Sequence, residues 1–217
     1  MKRISLNNCR LYVIVDREVL TGRDPVVVAE AAIRGGADVI QWRDKSASDR
    51  EFLKVAFALR QLTQKFQRIF IVNDRIAVAM LVQADGVHLG HEDLPVEQAR
   101  ALVGSSLLIG RSTHSLEEAR AAQEAGADYL GVGPIFSTPT KPGYPAVGID
   151  LIRQVAPVIK IPWVAIGGID LKTVPLVLSA GAARVAVVRA VAGAPDPGSA
   201  AWAMKGQLHL VLERERS

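Results

Sequence analysis

The sequence has few of the residues that mark secreted or membrane-spanning proteins. It contains a single cysteine, Cys9, so it can form no internal disulfide, which is typical of proteins in a reducing compartment. The longest apolar run, residues 76–82, is far shorter than the roughly 18 residues that a membrane span needs. The N-terminal segment is charged and has no apolar signal region. These absences predict a cytoplasmic protein that has no membrane partner.

Aromatic residues and charge of one sign are also scarce. Aromatic residues make up 5% of the chain, and 26 basic and 22 acidic residues leave a net charge of +4. The basic residues are scattered, whereas a nucleic-acid-binding surface is usually a dense basic stripe. We therefore expect no nucleic-acid partner. The mild positive balance is consistent with surface solubility and with a site for small anions such as phosphates.

What is present fits an ordinary globular domain. Of the 217 residues, 49% are hydrophobic and 22% are charged, which is close to the globular average. No segment rich in proline, glycine or serine divides the chain as a linker would. The sequence therefore predicts one domain that spans residues 1–217.

Four short segments resemble one another and punctuate the chain. They are residues 36–40, 83–87, 126–130 and 181–185, and the first reads Gly-Ala-Asp-Val-Ile. Each follows an amphipathic stretch and leads into an apolar run, and three of the four begin with glycine. This pattern predicts a helix end followed at once by a strand. Their spacing corresponds to two strand–helix units, so they mark every second strand.

The remaining apolar runs complete a set of eight predicted strands. Helix starts lie between them, at Asp24 before a proline and at two capping boxes, Ser48 with Glu51 and Ser115 with Glu118. Eight alternations in a chain of this length predict an α/β fold, a (β/α)8 TIM barrel, with an open doubly wound sheet as the alternative. The predicted strands are residues 11–15, 39–43, 69–72, 86–89, 107–110, 129–133, 163–166 and 185–188.

In such a barrel the chemistry lies at the carboxyl ends of the strands. Gln41, Arg43 and Lys45 alternate at the end of the second predicted strand. The strand period of two places them on one side, facing the barrel mouth. Two cations and an amide suit a diphosphate, since arginine offers a planar fork of donors. The alternative is a loop held by salt bridges.

Two carboxylates follow neighbouring predicted strands. Asn73 and Asp74 come directly after the third strand, and Asp93 follows the fourth after a short turn. Mg²⁺ is typically bound by one or two carboxylates together with phosphate oxygens of a substrate. A shared magnesium site is therefore one interpretation. The other is that each aspartate caps the helix that begins after it.

Two further segments could contact phosphates. Residues 137–147 form the longest irregular loop, with hydroxyls and one ammonium group, and this length is typical of a lid or of a surface excursion. Gly167 and Gly168 follow the seventh strand, where backbone N–H groups can approach a phosphate. A tight turn without a ligand explains the two glycines equally well.

The histidines allow more than one role. His114 follows the fifth predicted strand and could act as a general acid or base, although a bond to a neighbouring loop is the favoured interpretation. His88 lies within an apolar strand, which predicts a core histidine whose hydrogen bonds are satisfied. Cys9 precedes the barrel without an evident basic partner, so no catalytic role is assigned to it.

Taken in order, these motifs resemble the thiamine-phosphate synthase family. The resemblance runs from residue 11 to about residue 191, and it is the ordered set that is specific, since each motif alone is weak. The matching stretches are residues 11–16, 41–45, 73–75, 84–90 with Asp93, 109–114, 126–129, 131–141 and 165–169.

The resemblance implies a reaction between two small-molecule substrates. Hydroxymethylpyrimidine diphosphate loses pyrophosphate, and the nitrogen of thiazole phosphate attacks the exocyclic carbon to give thiamine phosphate. By this resemblance Asp74 and Asp93 hold Mg²⁺. The implied catalytic residues are Arg43, Lys45, Ser112 and Lys141. The implied substrate-binding residues are Gln41, Arg43, Lys45, Asn73, Ser112, Thr138, Thr140, Lys141 and Gly168. Whether the chain forms a homo-oligomer stays open.

The chain departs from the family in two places and leaves two alternatives. Trp42 stands where relatives often have an aliphatic residue. Arg189 ends the eighth strand where the family commonly has a small residue, and its guanidinium could add a phosphate contact or block the phosphate site. Residues 111–118 also resemble the thiazole tautomerases, a sister group that uses a histidine at the position of His114. The intact metal and lid motifs favour the synthase. A non-catalytic barrel that binds a thiamine precursor would have lost one of those motifs.

Overall fold

Strands and helices alternate along the chain as the sequence predicts. The computed structural model describes residues 5–138 and 145–214, which form eight parallel strands, eight α-helices and two short 3-10 helices, Leu6–Asn8 and Arg17–Val19. The strands are β1 (Leu11–Asp16), β2 (Val39–Arg43), β3 (Ile69–Asn73), β4 (Gly86–Leu89), β5 (Leu108–Thr113), β6 (Tyr129–Val132), β7 (Trp163–Ile166) and β8 (Val185–Val187). The helices are α1 (Pro25–Arg34), α2 (Asp49–Lys65), α3 (Ile76–Leu81), α4 (Val96–Val103), α5 (Leu116–Glu124), α6 (Asp150–Val155), α7 (Val174–Ser179) and α8 (Pro197–Arg214).

The sheet closes on itself. Each strand pairs with the next in the order β1 to β8, and β1 also pairs with β8, where Leu11 lies opposite Val185 and Val13 opposite Val187. A doubly wound sheet would leave two open edges. The predicted (β/α)8 barrel is therefore confirmed, and the alternative of an open sheet is wrong.

The strand that departs most from its prediction is β5. The apolar run ends at residue 110, but the strand continues to Thr113, where Ser112 pairs with Gly131 and Thr113 pairs with Val132 of β6. Backbone hydrogen bonds do not depend on side-chain polarity, so polar residues can extend a strand at the barrel mouth. Ser112 is thereby held in a regular strand rather than in a loop.

Of the two predicted capping boxes, one is complete. Ser48 and Glu51 bond to each other's backbone at the start of α2. At the start of α5, the hydroxyl of Ser115 accepts the N–H of Glu118 at 3.1 Å. The carboxylate of Glu118 does not return to Ser115; it accepts the N–H of His114 at 2.7 Å. The second box is therefore half formed, and its acid instead holds the loop at the end of β5.

Apolar side chains form two layers, one between strands and helices and one inside the barrel. The inner layer includes Tyr12, Leu108, Tyr129, Val164 and Ala186. These residues stand near the beginnings of their strands, so they form a layer across the barrel interior below the positions that come later in each strand. The alternate positions further along the strands are left to line its carboxyl-terminal end.

The repeated segments have a structural purpose at the amino-terminal end. In three of the four, the aspartate carboxylate accepts the N–H of a residue in the preceding strand and pairs with a cation from a helix. The three sets are Asp38 with Leu11 and Lys205, Asp85 with Phe70 and Arg60, and Asp128 with Ile109 and Arg100. The fourth repeat has Ala183 at this position. The repeat thus ties strand beginnings together.

Candidate active site

The carboxyl ends of the strands surround a cavity of about 370 Å³. Such a volume is suited to a small organic ligand. Five of the residues predicted from the sequence line this cavity: Gln41, Arg43, Ser112, Thr138 and Gly168.

A chain of hydrogen bonds crosses the cavity from β2 to β5. The Gln41 amide nitrogen donates to the Tyr12 hydroxyl at 2.7 Å, and the hydroxyls of Tyr12 and Tyr129 are 3.1 Å apart. The Tyr129 hydroxyl lies 3.1 Å from Nδ1 of His88, whose Nε2 lies 3.0 Å from the Ser112 hydroxyl. These five residues, called the polar chain below, come from five different strands.

The polar chain is neutral at its centre. Burial raises the pKa of Tyr12 and the pKa of Tyr129, so both side chains keep their protons. Gly110 makes room for it, because a Cβ there would lie 2.1 Å from the ring of Tyr129 and 2.5 Å from Nδ1 of His88. The cavity therefore offers hydroxyl and imidazole groups to a ligand rather than charges at this depth.

The interpretation of His88 as a core residue is corrected. Its hydrogen bonds are satisfied, as predicted, but its half-buried ring lines the cavity. The strand period could have found it, because β4 turns His88 to the opposite face from the buried Val87 and Leu89.

Arg43 is held in place by a carboxylate that sequence reasoning gave no role. Its Nη1 lies 2.5 Å from Oδ2 of Asp16, and both residues line the cavity. Asp16 ends β1 and is fully buried, and its other oxygen accepts the N–H of Glu18 at 3.1 Å. A buried partner fixes the direction of the Arg43 guanidinium, which keeps donors available for a second anion.

Asp74 and Asp93 meet beside the cavity and are called the acid pair below. Burial and the neighbouring carboxyl group of Asp74 raise the pKa of Asp93. Asp93 accepts the N–H of Gly90 at 2.6 Å, and Lys45 forms an ion pair with Asp74. Two carboxylates in contact carry like charges, so this arrangement favours a bound cation.

The alternative interpretation, in which these aspartates cap helices, is wrong. The capping positions before α3 and α4 are Arg75 and Pro95, and neither helix start has a side-chain cap. Asp74 instead adopts a φ of 59°, in the left-handed region that non-glycine residues rarely enter. Its carboxylate is thereby directed to Lys45 and Asp93 rather than to the helix.

The structure thus sorts the predicted site residues into two neighbouring groups. Asn73 is in register with His88 of the polar chain, and the N–H of Asp74 donates to the His88 carbonyl at 2.9 Å. This contact sets the acid pair directly beside the cavity. Lys45, Asn73, Asp74 and Asp93 belong to this second group and are not among the described residues that line the cavity. Thr140 and Lys141 lie outside the described residues.

Across the barrel from β3 and β4, the wall of the cavity is formed by the ends of β7 and β8. Gly167 and Gly168 have φ of 99° and 63°, and a Cβ on Gly168 would lie 2.7 Å from that of Phe136. Only glycine fits this turn, which brings its backbone to the cavity. The exposed side chain of Arg189 lines the same wall.

His114 also lines the cavity, and it bonds to a neighbouring loop as the favoured interpretation has it. Its Nδ1 is hydrogen-bonded to the carbonyl oxygen of Gly133, which can only accept, so Nδ1 carries the proton. The ring is thereby fixed in one orientation at the end of β5.

The described ranges hold neither a larger metal-binding cluster nor a helix suited to cross a membrane. Residues 5–138 and 145–214 contain no group of three or more histidine, cysteine, aspartate or glutamate side chains placed to bind a metal. None of the helices in these ranges combines the length and apolar character that crossing a membrane requires.

Comparison with known proteins decides the family. The model of the family described as thiamine monophosphate synthase matches residues 11–191. The chain belongs to this family. The thiamine monophosphate synthase match covers all eight strands, and it confirms the resemblance stated from the motifs.

Relatives in the thiamine monophosphate synthase family differ in length. The thiamine-phosphate synthase of Chloroflexus aurantiacus is 48% identical over 206 residues, which is 94% of this chain and 95% of that protein. That of Synechococcus sp. (strain CC9311) is 50% identical over 171 residues, which is 79% of this chain and 48% of that protein. The chain thus spans about half the length of the Synechococcus relatives that it matches.

A solved structure of a family member has the same fold. The thiamine phosphate pyrophosphorylase from Pyrococcus furiosus is 41% identical and superposes with a TM-score of 0.87, covering 95% of this chain and 98% of that one. The barrel and the order of its strands are therefore shared with a relative of similar length.

Proposed function

We propose that this chain is a thiamine-phosphate synthase, which joins hydroxymethylpyrimidine diphosphate to thiazole phosphate and releases pyrophosphate. The observation that carries the proposal is the layout of one cavity. A neutral polar chain crosses it, Arg43 and Arg189 both line it, and the acid pair lies beside it. This arrangement suits a polar aromatic ring between two phosphate groups.

The proposed reaction needs charge stabilisation rather than proton transfer. The C–O bond to the diphosphate breaks, and both electrons leave with the pyrophosphate. The thiazole nitrogen then donates its lone pair to the exocyclic carbon and forms the C–N bond. Since negative charge grows on the leaving oxygen, preorganised cations lower the barrier. Arg43, oriented by Asp16, and Lys45, which pairs with Asp74, are assigned this role.

The acid pair fits the magnesium ion that the family resemblance implies. Asp74 and Asp93 supply carboxylate oxygens, the ligands that Mg²⁺ prefers, and a cation would relieve the repulsion between them. A bound Mg²⁺ would supply positive charge that stabilises the departing pyrophosphate.

The proposal assigns the thiazole phosphate to the wall formed by β7 and β8. The backbone of Gly168, the hydroxyl of Thr138 and the guanidinium of Arg189 are all cavity-lining groups that can bind a phosphate. Thr140 and Lys141 enter the proposal through the family resemblance alone. Gln41 and Ser112, at the two ends of the polar chain, are assigned to the pyrimidine, which for Gln41 replaces the diphosphate contact predicted from the alternation along β2.

The proposal has a second candidate, a thiazole tautomerase that uses His114. It is supported by the place of His114 on the cavity wall. The curated relatives reported above are named as synthases, which favours the first candidate.

The test is one incubation of the purified chain with both substrates, with and without Mg²⁺, and detection of thiamine phosphate by mass. Product that depends on Mg²⁺ supports the synthase. Exchange at the thiazole without product supports the tautomerase. Binding of the substrates without either reaction would leave only the non-catalytic barrel.

The proposal has two broader parts. We propose that residues 1–217 form one domain, which is supported by the packing of α8 against α1 and β1 at the closure of the barrel. The cytoplasmic location rests on the single, buried cysteine, whose pKa is raised to about 11 by burial, which makes it unreactive.

A further inference from the structure

The hydrogen bonds of the polar chain all run in one donor-to-acceptor direction, and Gln41 is the first donor. The amide nitrogen of Gln41 can only donate, so the oxygen of Tyr12 accepts. The proton of Tyr12 then needs an acceptor, and Tyr129 is the only one that Tyr12 reaches among the described residues. Because both hydroxyls are buried, a donor without an acceptor would be costly. Tyr12 therefore donates to Tyr129.

The same reasoning continues to β5. The proton of Tyr129 is donated to Nδ1 of His88, which must then be the unprotonated nitrogen of a neutral ring. Nε2 carries the proton and donates to the oxygen of Ser112. The hydroxyl proton of Ser112 is thus left for a group in the cavity, while Gln41 keeps its amide oxygen as an acceptor.

We propose that Tyr12, Tyr129 and His88 are positioning residues that transmit the orientation of the Gln41 amide across the barrel and make Ser112 a hydrogen-bond donor. The cavity then selects a heterocycle that offers a ring nitrogen to Ser112 and an amino group to Gln41. An aminopyrimidine has this pattern, so the inference rests on the proposed function and specifies how its substrate is recognised.

The first test determines, in the absence of substrate, the donor-to-acceptor direction of the hydrogen bonds in the polar chain. In the full-length protein labelled with ¹⁵N-histidine, the ring nitrogens of His88 are assigned by comparison with His88→Gln. The expected form carries its proton on Nε2. A ring protonated on Nδ1 would mean that the hydrogen bonds of the polar chain are donated in the opposite direction, from Ser112 towards Gln41. This result overturns the proposal.

Two variants test where the direction originates. Tyr129→Phe removes the donor to Nδ1, so His88 should lose its fixed form and show a mixture of both. Ser112→Ala removes only the last acceptor, so the proton should stay on Nε2. An unchanged ring in Tyr129→Phe, or a switched one in Ser112→Ala, contradicts the proposed direction. If Tyr129→Phe does not fold, the spectrum of His88 in Ser112→Ala still tests the proposed direction of the hydrogen bonds.

The second test measures substrate recognition by steady-state kinetics. Loss of one neutral hydrogen bond should raise the KM for the pyrimidine diphosphate roughly 3- to 10-fold in Tyr129→Phe, while the KM for thiazole phosphate and kcat change little. Thr113→Val is the matched control, because its hydroxyl donates to the carbonyl of Gly131 at 3.2 Å, outside the polar chain. Equal effects in both variants would indicate a merely structural role. If wild type makes no product, the proposed function fails, while the histidine spectra still decide the direction.

Discussion

The two ends of the barrel use the same residue type in opposite ways. At the amino-terminal end, Asp85 accepts the N–H of Phe70 at 2.8 Å and pairs with Arg60 at 2.8 Å. Its charge is matched by one cation, and its oxygens are occupied by donors. At the carboxyl-terminal end, the carboxyl group of Asp93 contacts that of Asp74. The first arrangement stabilises the fold, whereas the second leaves like charges in contact, a repulsion that a bound cation would relieve.

The variant with the largest expected effect is Asp93→Asn, which tests the carboxyl-terminal end of the barrel. If the proposed function holds, we expect turnover to fall roughly 100-fold or more, because the variant loses the carboxylate that is proposed to bind Mg²⁺. We also expect the free variant to unfold at a higher temperature than wild type at pH 7. The folded state raises the pKa of Asp93, so wild type loses stability as the pH rises through that pKa, and the amide removes this loss.

The check is thermal unfolding without metal at two pH values, together with turnover. Below the usual carboxyl range the folded and unfolded wild type are both protonated at Asp93, so the advantage of the variant should vanish there. Turnover equal to wild type would exclude Asp93 from the site.

The opposite result is expected at the other end of the barrel, for Asp85→Ala. Arg60 would lose its partner while only 16% of its side chain is exposed. Breaking a buried ion pair costs about 3 kcal/mol or more, which lowers the unfolding temperature by roughly 6–12 °C in a domain of this size. Turnover at low temperature should not change.

The matched control is Asp150→Ala, which breaks the exposed pair of Asp150 with Arg153. These side chains are 81% and 65% exposed, so the variant should match wild type to within about 0.5 kcal/mol. An equal loss in both variants would mean that the repeated aspartates have no special structural purpose.

A smaller effect should come from Mg²⁺ itself. At about ten times its dissociation constant, a ligand adds roughly 1.4 kcal/mol of stability, so wild type should unfold roughly 3–6 °C higher with Mg²⁺ than without it. The shift should disappear in Asp93→Asn and persist in Asp85→Ala, measured by differential scanning fluorimetry. A shift that persists in Asp93→Asn would place the ion elsewhere.

The order of elements and the two ends of the barrel could be predicted because their signals are local. The repeated Ala-Asp segments mark helix ends and strand starts within a few residues. Alternation along β2 was enough to direct Gln41 and Arg43 to the same side. The number of strand–helix alternations favoured a closed barrel, but only the pairing of β1 with β8 excludes an open sheet.

The polar chain could not be predicted, because it joins residues of five strands by single contacts. Tyr12 and Tyr129 are far apart in sequence, and each alone is typical of an apolar core. The roles of Asp74 and Asp93 were ambiguous for a related reason. An aspartate before a helix often caps it, and only the structure shows that here the capping positions are Arg75 and Pro95 and that Asp74 has a positive φ.

The smallest expected effect concerns Arg189, which lines the cavity at the end of β8. In Arg189→Gln, loss of an exposed cation should raise the KM for thiazole phosphate about fivefold, with little change for the pyrimidine diphosphate. Steady-state kinetics with each substrate varied in turn checks this, with Arg153→Gln as the control for loss of an exposed charge on α6. A lower KM in Arg189→Gln would mean that the guanidinium obstructs the phosphate. The two arginines would then differ in kind, since Arg43 is held by Asp16 in a position to bind an anion, whereas Arg189 would only be tolerated at the edge of the cavity.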